Sequence, residues 1–453
     1  MRPIHTTLLM GLAAAATSLV AAIYFPWPTF ERTSERINQR LFVDLDAKQI
    51  RTLEISRVNA DKNLLERVLL ERRGEKWIFP NHASYTASNA FRIAAVINSL
   101  AECTVLELET DKQLDHLKFG VLDMDEPDAT RNPGGVGWKV SVRDRNQRVL
   151  ANLIVGHLVT GAEGRQKRFV RVPGEPQVYV VDFDADALST RFRDWVDSNL
   201  LQLQAGNLPG ERLARFRIHS YRIDPESLKN DPTKLNFYEA TLTETNNQPA
   251  VTAWNVVFDG AWAEAVPNAE VQQTLQRAWS VLPVLMFVDA RPKEQTLNQA
   301  LVKLDDAARV PATYESALQW GFKAVLDDGR PVRFLATGGE LELELASGIR
   351  VFVYLGNIIP APTGDARLAR IAMLVAEFDE SRFPRPAAPT NDDGSPLSEE
   401  QQRTHAREIE QWTAQVKQAQ QHAANFNQVH APWYYALDED IVNLVRPELP
   451  QSQ

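Results

Sequence analysis

The chain has 453 residues, enough for two or three domains, and its 44% hydrophobic and 24% charged residues belong to a folded globular protein. Fifty-nine acidic residues against 49 basic ones leave a net charge of −10, which argues against nucleic acid, because phosphate binding needs a surplus of Lys and Arg. Cys103 is the only cysteine, so no intrachain disulfide exists and the fold rests on apolar cores alone.

No Asp, Glu, Lys or Arg occurs from Thr6 through Thr29, and the run Ile4 to Phe25 is apolar. As a helix rising about 1.5 Å per residue it would be roughly 33 Å long, enough for a hydrocarbon core of about 30 Å. Arg2 precedes the run. Tyr24, Phe25, Trp27 and Phe30 crowd its far end as an aromatic belt would, and Pro26 and Pro28 stop the helix. It reads as a single membrane-spanning anchor, with the N-terminus inside and residues from Glu31 onward outside. The alternative is a cleaved export signal with Val20-Ala21-Ala22 as the processing site. The run exceeds the usual signal core of about 7–15 residues, and bulky aromatics follow at once, which favours the anchor. Either reading exports the remainder.

Residues 31–40 form a polar connector. Leu41-Phe42-Val43-Asp44-Leu45 and Thr52-Leu53-Glu54-Ile55 alternate in strand fashion. Val68 to Arg72 and Lys76 to Phe79, split by Arg73-Gly74, predict a hairpin, and Pro80 ends it. Ser88 is the expected N-cap of a helix to Leu100, with Ile93, Val96, Ile97, Leu100 and Cys103 on its apolar face. Cys103 is thus read as a buried apolar residue. A short strand follows at Val105 to Leu108. Leu114, Leu117 and Phe119-Gly120 predict a short helix closed by glycine. After an acidic, glycine-rich loop, strands resume at Trp138 to Val142, Val149 to Val155, Arg168 to Val172 and Val178 to Val181; Leu188 to Leu201 then reads as helix.

The second half follows the same order. Trp254-Asn255-Val256-Val257 matches the Trp77 strand, and Asn268 caps a helix with Val271, Leu275, Ala278 and Leu282 on one face. Leu318-Gln319-Trp320-Gly321-Phe322 matches Leu117-Lys118-Phe119-Gly120-Val121. Strands return at Lys323 to Leu326, Val332 to Leu335, Leu341 to Leu345, Arg350 to Tyr354 and Arg370 to Phe378, with Asp289 to Thr313 an insertion relative to the first half. Prolines 384, 386, 389 and 396 around Asp392-Asp393-Gly394 mark a solvated loop. Ser398 and Gln401 form a capping-box start. The long helix behind it carries Ile409, Trp412, Val416, Ala419, Ala423 and Phe426 at spacings of three and four, a seam for the protein's own body or for a partner helix. Trp433 to Leu437 is a strand expected to rejoin the second unit's sheet.

The residues offer little chemistry. Gly156, Gly161 and Gly164 lack the Lys and Ser or Thr of a phosphate-binding loop, since Arg165-Gln166 follows. Asp123, Asp125, Glu126 and Asp128 lack EF-hand spacing and read as a solvated acidic loop. None of the eight histidines forms a zinc-type i, i+4 pair, and no GxSxG elbow occurs. Arg165, Lys167, Arg168 and Arg171 form a basic cluster, an anion or lipid-headgroup patch or else a charged hairpin edge. No catalytic, cofactor-binding or metal-binding residue is expected.

Several of these stretches resemble a known bacterial family: Lys76-Trp77-Ile78-Phe79-Pro80, Leu117 to Val121, Ile154-Val155-Gly156, Arg168 to Gly174 and Val178 to Val181. They are similar to the domain-of-unknown-function family four-three-four-zero, best over residues 40–200, with a weaker second copy at Gly321-Phe322 and Gly339-Glu340-Leu341. The ending Phe426 to Leu437 is similar to longer planctomycete-type members, although Ala431-Pro432 departs from their charged context. The resemblance implies one N-terminal membrane segment, an exported α+β region and genes beside gliding-motility-type ABC transporter components. It carries over no catalytic residue.

The expected fold class is α+β: a transmembrane helix, two related units of mixed or antiparallel sheet with packed helices, and a long C-terminal helix. The expected division is 1–30 anchor, 31–205 first unit, 206–380 second unit, 381–397 Pro-rich loop, and 398–453 long helix and rejoining strand. The function expected is a non-enzymatic accessory or scaffold subunit of an ABC transporter-associated complex on the outer side of the inner membrane. The alternatives are an exported hydrolase of envelope polymers using carboxylates such as Asp123 or Glu340, and a solute- or lipid-sensing module.

Overall fold

The computed structural model describes residues 36–159, 167–201, 211–229, 232–258, 261–293, 310–327, 330–362, 367–390 and 398–449. The expected anchor, Arg165, Gly161, Gly164, Asp392 and Asp393 lie outside the described residues. Among the described residues no helix is long and apolar enough to cross a membrane.

The chain divides into two units, one of Met1–Trp77 and Ala90–Thr190, the other of Ile78–Asn89 and Arg191–Gln453. Residues 78–89 and 191–201 group with the second unit. In chain order the first half builds β1 (Thr52–Asn59), β2 (Leu64–Arg73), β3 (Lys76–Phe79), β4 (Tyr85–Ala87), α1 (Ala90–Ala101), β5 (Thr104–Thr110), α2 (His116–Phe119), β6 (Trp138–Arg143), β7 (Val149–Leu158), β8 (Lys167–Arg171) and β9 (Val178–Asp182). In the first unit, strands hydrogen-bond in the order β2-β1-β6-β7-β8-β9-β5, with antiparallel pairing. Ile93, Val96, Ile97 and Leu100 of α1 are buried, and Gly120 closes α2 at φ 68°.

The second half builds β10 (Leu213–Ile223), β11 (Lys234–Thr245), β12 (Gln248–Phe258), β13 (Ala261–Glu264), α3 (Ala269–Val281), β14 (Phe287–Pro292), α4 (Val310–Gln319), β15 (Phe322–Asp327), β16 (Arg330–Ala336), β17 (Glu340–Leu345), β18 (Ile349–Pro360), β19 (Leu368–Phe378), α5 (Glu399–His430), β20 (Trp433–Asp438) and α6 (Glu439–Val445). Its sheet runs β13-β12-β11-β10-β17-β18-β19-β20-β14, and β15-β16 is a separate hairpin. The order β11-β10-β17-β18-β19-β20-β14 repeats that of the first sheet strand for strand. Both copies also carry a register break on the same strand pair, between Val155 and Leu158 and between Leu355 and Ile358. The expected insertion at Asp289 to Thr313 needs correction at its start. Residues 287–292 are β14, the counterpart of β5, and the extra pieces are the β15-β16 hairpin and α5.

The repeat is held by one close approach. A Cβ added to Gly156 would lie 2.3 Å from the carbonyl oxygen of Phe119, and one added to Gly356 would lie 2.3 Å from that of Trp320. In each unit the turn before the next strand thus presses its backbone onto the sheet where only glycine fits.

Two expected elements do not form. Residues 41–45 pair with nothing beyond a bridge at Arg40–Thr104 and a Leu41 N–H bond to the Cys103 carbonyl; Val43 is exposed, and the Asp46 side chain accepts from the Lys48 N–H to start a turn. Residues 188–201 form a 3₁₀ turn, Phe192–Trp195, and an isolated bridge between Asn199 and Met286. Asp197 accepts the N–H of Asn199, whose side chain accepts that of Leu201, and these local bonds replace helical ones. Ser88 is not an N-cap; its hydroxyl accepts the N–H of Asp197.

Gly356→Ala should destabilise the second unit by about 1–3 kcal/mol, because a backbone carbonyl cannot move aside as a side chain can. Chemical denaturation checks this, and an unchanged midpoint would show the approach to be looser than described.

Candidate functional site

Strand alternation sorts the side chains of β10. Phe216, Ile218, Ser220 and Arg222 face one side, and Arg215, Arg217, His219 and Tyr221 the other. The partner strand breaks register opposite Ser220–Tyr221, leaving Phe237 as the extra residue. Such bulges re-aim side chains next to functional sites.

On the Ser220 side lie two buried arginines. Arg370 of β19 is 5% exposed, and its Nε donates to Glu439 Oε2 at 2.8 Å while Nη1 donates to the Gly356 carbonyl at 3.2 Å. Arg446, directly after α6, is 2% exposed; its Nη1 donates to Ser220 Oγ at 3.2 Å. Its Nε has no hydrogen-bond partner among the described residues. Burial first, and then the charge of Arg370, lower the Arg446 pKa from its ordinary value. Asp438 starts α6 by accepting the N–H of Asp440, which puts Glu439 in the first turn and Arg446 at the C-cap. Gly338 and Gly339 make room: a Cβ on Gly338 would meet Arg370 Nη1 at 2.2 Å, and one on Gly339 would meet the His219 carbonyl at 2.6 Å.

Arg446 lines a cavity of about 190 Å³ together with Ser220, Arg222, Phe237, Tyr238 and the Glu448–Leu449 stretch. Tyr238 donates its hydroxyl to the Pro447 carbonyl at 2.7 Å, fixing the chain after α6 on β11. Arg222 donates to Glu448, both more than half exposed. The deep end of the cavity is therefore cationic, and its rim carries a guanidinium already held by a carboxylate.

The opposite side of the same strands carries a ladder of ion pairs. Arg215 meets Glu344 at 3.0 Å, Arg217 meets Glu342 at 2.8 Å, and Arg350 meets Glu342 at 2.7 Å. Burial alone would lower the pKa of His219, but its hydrogen bonds to Glu239 and Glu342 outweigh that and raise it to about 9. Burial works against Glu342 as well, yet the His219 and Arg350 hydrogen bonds and the charges of Arg217 and Arg350 hold its pKa at about 2. Tyr221 donates to Glu340, so that carboxylate is engaged within the sheet.

Two further groups stand apart. His82 Nε2 lies 2.6 Å from Asp289 Oδ1, and its ring stacks on Phe192 at 4.6 Å between centroids. Lys293 is 5% exposed, with Nζ 5.5 Å from the Tyr434 ring centroid and no hydrogen-bond partner among the described residues; burial lowers its pKa to about 7.

The residues singled out from sequence fall as follows. Along α5, which packs on β18 and β19, Ala419 is buried and Ile409, Trp412 and Val416 are half-buried; Trp412 donates its indole N–H to the Phe383 carbonyl. On β8, alternation puts Lys167 and Arg171 on one face and Arg168 on the other, so they do not share a patch. Arg171 is buried and donates to the Val121 carbonyl and to Glu126, and Arg168 donates to the Gly156 carbonyl. Lys139 holds Asp123 and Asp125. Among the described residues no group of three or more His, Cys, Asp or Glu is placed to hold a metal. Cys103 is fully buried, with its thiol pKa pushed up to about 12 by burial. Arg370, Glu439 and Arg446 escaped the sequence reading. The available signals were a charged residue at the head of the apolar strand Leu368–Phe378 and an Asp438 cap before Val442 and Val445.

The molecule is thus an α+β protein of two large antiparallel sheets with a long C-terminal helix. Residues 77–281 match the family described as Domain of unknown function (DUF4340). No curated protein and no solved structure matches the chain. The matched span supplies Ser220, Arg222, Phe237 and Tyr238 of the cavity, whereas Arg370, Glu439 and Arg446 lie beyond it.

Two predictions follow from these electrostatics. Glu439→Gln should cost about 3–5 kcal/mol of stability by leaving two buried guanidiniums uncompensated, and the joint change Arg370→Met/Glu439→Leu should cost less. Denaturant titration of the three proteins decides; equal losses would mean the pair is solvated. For pH, the His219 contribution is complete below its unfolded pKa near 6.5 and disappears as pH rises through about 9, while that of Glu342 is complete above 4.5 and disappears as pH falls through about 2. Lys293, whose burial penalty eases as pH rises above about 7, opposes this, so the readout is the difference: the melting-temperature advantage of wild type over His219→Gln should shrink from pH 6.5 to 9.

Proposed function

We propose that the chain is a membrane-tethered protein of the bacterial envelope, with its bulk on the outer side of the inner membrane, acting as a non-enzymatic accessory or scaffold subunit of an ABC transporter-type complex. The apolar run Ile4 to Phe25 carries the location. The family match supports the transporter association through the company such members keep. Docking is supported by α5, a helix of 32 residues whose first half presents mostly exposed side chains around the half-buried Ile409, Trp412 and Val416.

A second reading, an exported hydrolase of envelope polymers, draws on the His82–Asp289 pair, where a carboxylate orients an imidazole as general-base sites require. Digestion of purified envelope polymer by wild-type protein, abolished by His82→Gln, would establish that reading in place of the first.

The main proposal is tested by fractionation and affinity capture. The full-length protein should remain with membranes through high-salt and carbonate washes, and detergent extracts should yield transporter membrane subunits with it. Removing residues 4–25 should release it. Recovery of the intact chain in the cytosolic fraction, or repeated capture without any transporter subunit, would count against it.

A further inference from the structure

The buried charges gathered around α6 do not cancel. Arg370 and Arg446 are two guanidiniums, and Glu439 is the one carboxylate among the described residues buried with them. A guanidinium offers five N–H donors and cannot shed its charge, so a buried one needs acceptors on several sides. Among the described residues Arg446 has one acceptor side chain, Ser220, and with it lines a cavity. Leaving a buried charge uncompensated is among the costliest arrangements in a protein interior. The same residue is nonetheless seated with care, between a cap, a bulge and a pair of glycines.

We infer that the cavity between β10, β11 and the chain after α6 is a binding site for a small oxyanion of the phosphate class, held by Arg446 at its floor and Arg222 at its rim. The volume sets the size. About 190 Å³ has room for roughly six waters at about 30 Å³ each, below the roughly 300 Å³ at which pockets begin to take drug-sized molecules. Two guanidiniums converging on one anion suit a doubly charged oxyanion, which accepts paired N–H bonds from each. Phe237 and Leu449 supply an apolar wall for the ester group of a phosphomonoester. Glu448 already occupies Arg222 and is exposed, so it is the carboxylate that an incoming anion displaces. A chain carrying a net charge of −10 repels anions elsewhere, which makes a local cationic floor the determinant of binding.

The test uses full-length protein in detergent, followed by calorimetry and thermal unfolding with inorganic phosphate and with glycerol 3-phosphate, against chloride at matched ionic strength. Wild-type protein should bind phosphate saturably and melt higher with it. Arg222→Gln, at an exposed position, should weaken binding about tenfold or more. Glu448→Gln should tighten it by removing the internal competitor. Binding of glycerol 3-phosphate at least as well as phosphate identifies an esterified, headgroup-type ligand; phosphate alone identifies the free ion. A wild-type protein that binds neither, or an affinity that Arg222→Gln leaves unchanged, overturns the inference, with the cavity then holding solvent only. These outcomes are independent of whether the chain is anchored or docks on a transporter.

Discussion

The second unit is organised around keeping two like charges out of water side by side. Arg370 and Arg446 repel, and among the described residues Glu439 is the buried carboxylate that offsets that repulsion. The position of α6 follows from this: its first turn must deliver the carboxylate to β19, and its last must return a guanidinium toward β10. Gly338 and Gly339 follow too, since side chains there would occupy the space of the guanidinium of one arginine and crowd the strand beside the other. Tyr238 then clamps Pro447, so the segment carrying Glu448 is fixed to the same sheet. Replacing the charged group by apolar residues would be at least as stable on general grounds, so stability alone does not account for it.

Comparison of the two units shows where the site came from. Opposite Leu158 and Ile358, at the shared register break, stand Arg168 and Arg370, and both donate to the equivalent glycine carbonyls, Gly156 and Gly356. Across the next ladder Arg168 faces Val181 and Arg370 faces Leu437. The residue two further on is Phe183 in the first unit and Glu439 in the second. Similarly, Trp138 pairs with Val155 where Gly339 bonds Leu355. The first unit keeps the arginine as a backbone anchor and has Trp138 and Phe183 at the positions that Gly339 and Glu439 take in the second. One plan thus serves two ends.

Much of the plan was legible in the sequence, because strands with one buried face announce themselves by alternation and because Phe119-Gly120 and Trp320-Gly321 mark the same backbone approach twice. Trp433 to Leu437 rejoins the second sheet as its pattern required, between β19 and β14. Residues 41–45 and 188–201 misled for a common reason. Their apolar residues had a plausible period, but Asp46, Asp197 and Asn199 spend their side chains on neighbouring N–H groups, and those local bonds decide the backbone. The candidate site was not legible. Its members lie far apart along the chain, as Arg446 and Ser220 do, and meet only because β10 and β17 pair while α6 returns over them. A lone arginine in an apolar strand is a signal that something compensates it, without saying what.

The same logic separates the basic residues of the first unit from the site in the second. Lys167, Arg168 and Arg171 are consecutive enough in sequence to suggest a patch, yet a strand displays alternate residues on opposite faces, and Arg171 is saturated by Val121 and Glu126. Positive charge there is spent inside the unit. Arg446 differs in lining a cavity together with Ser220 and Arg222. The oxyanion site we infer rests on that cavity in the second unit, and it is separate from the half-buried Ile409, Trp412 and Val416 along α5.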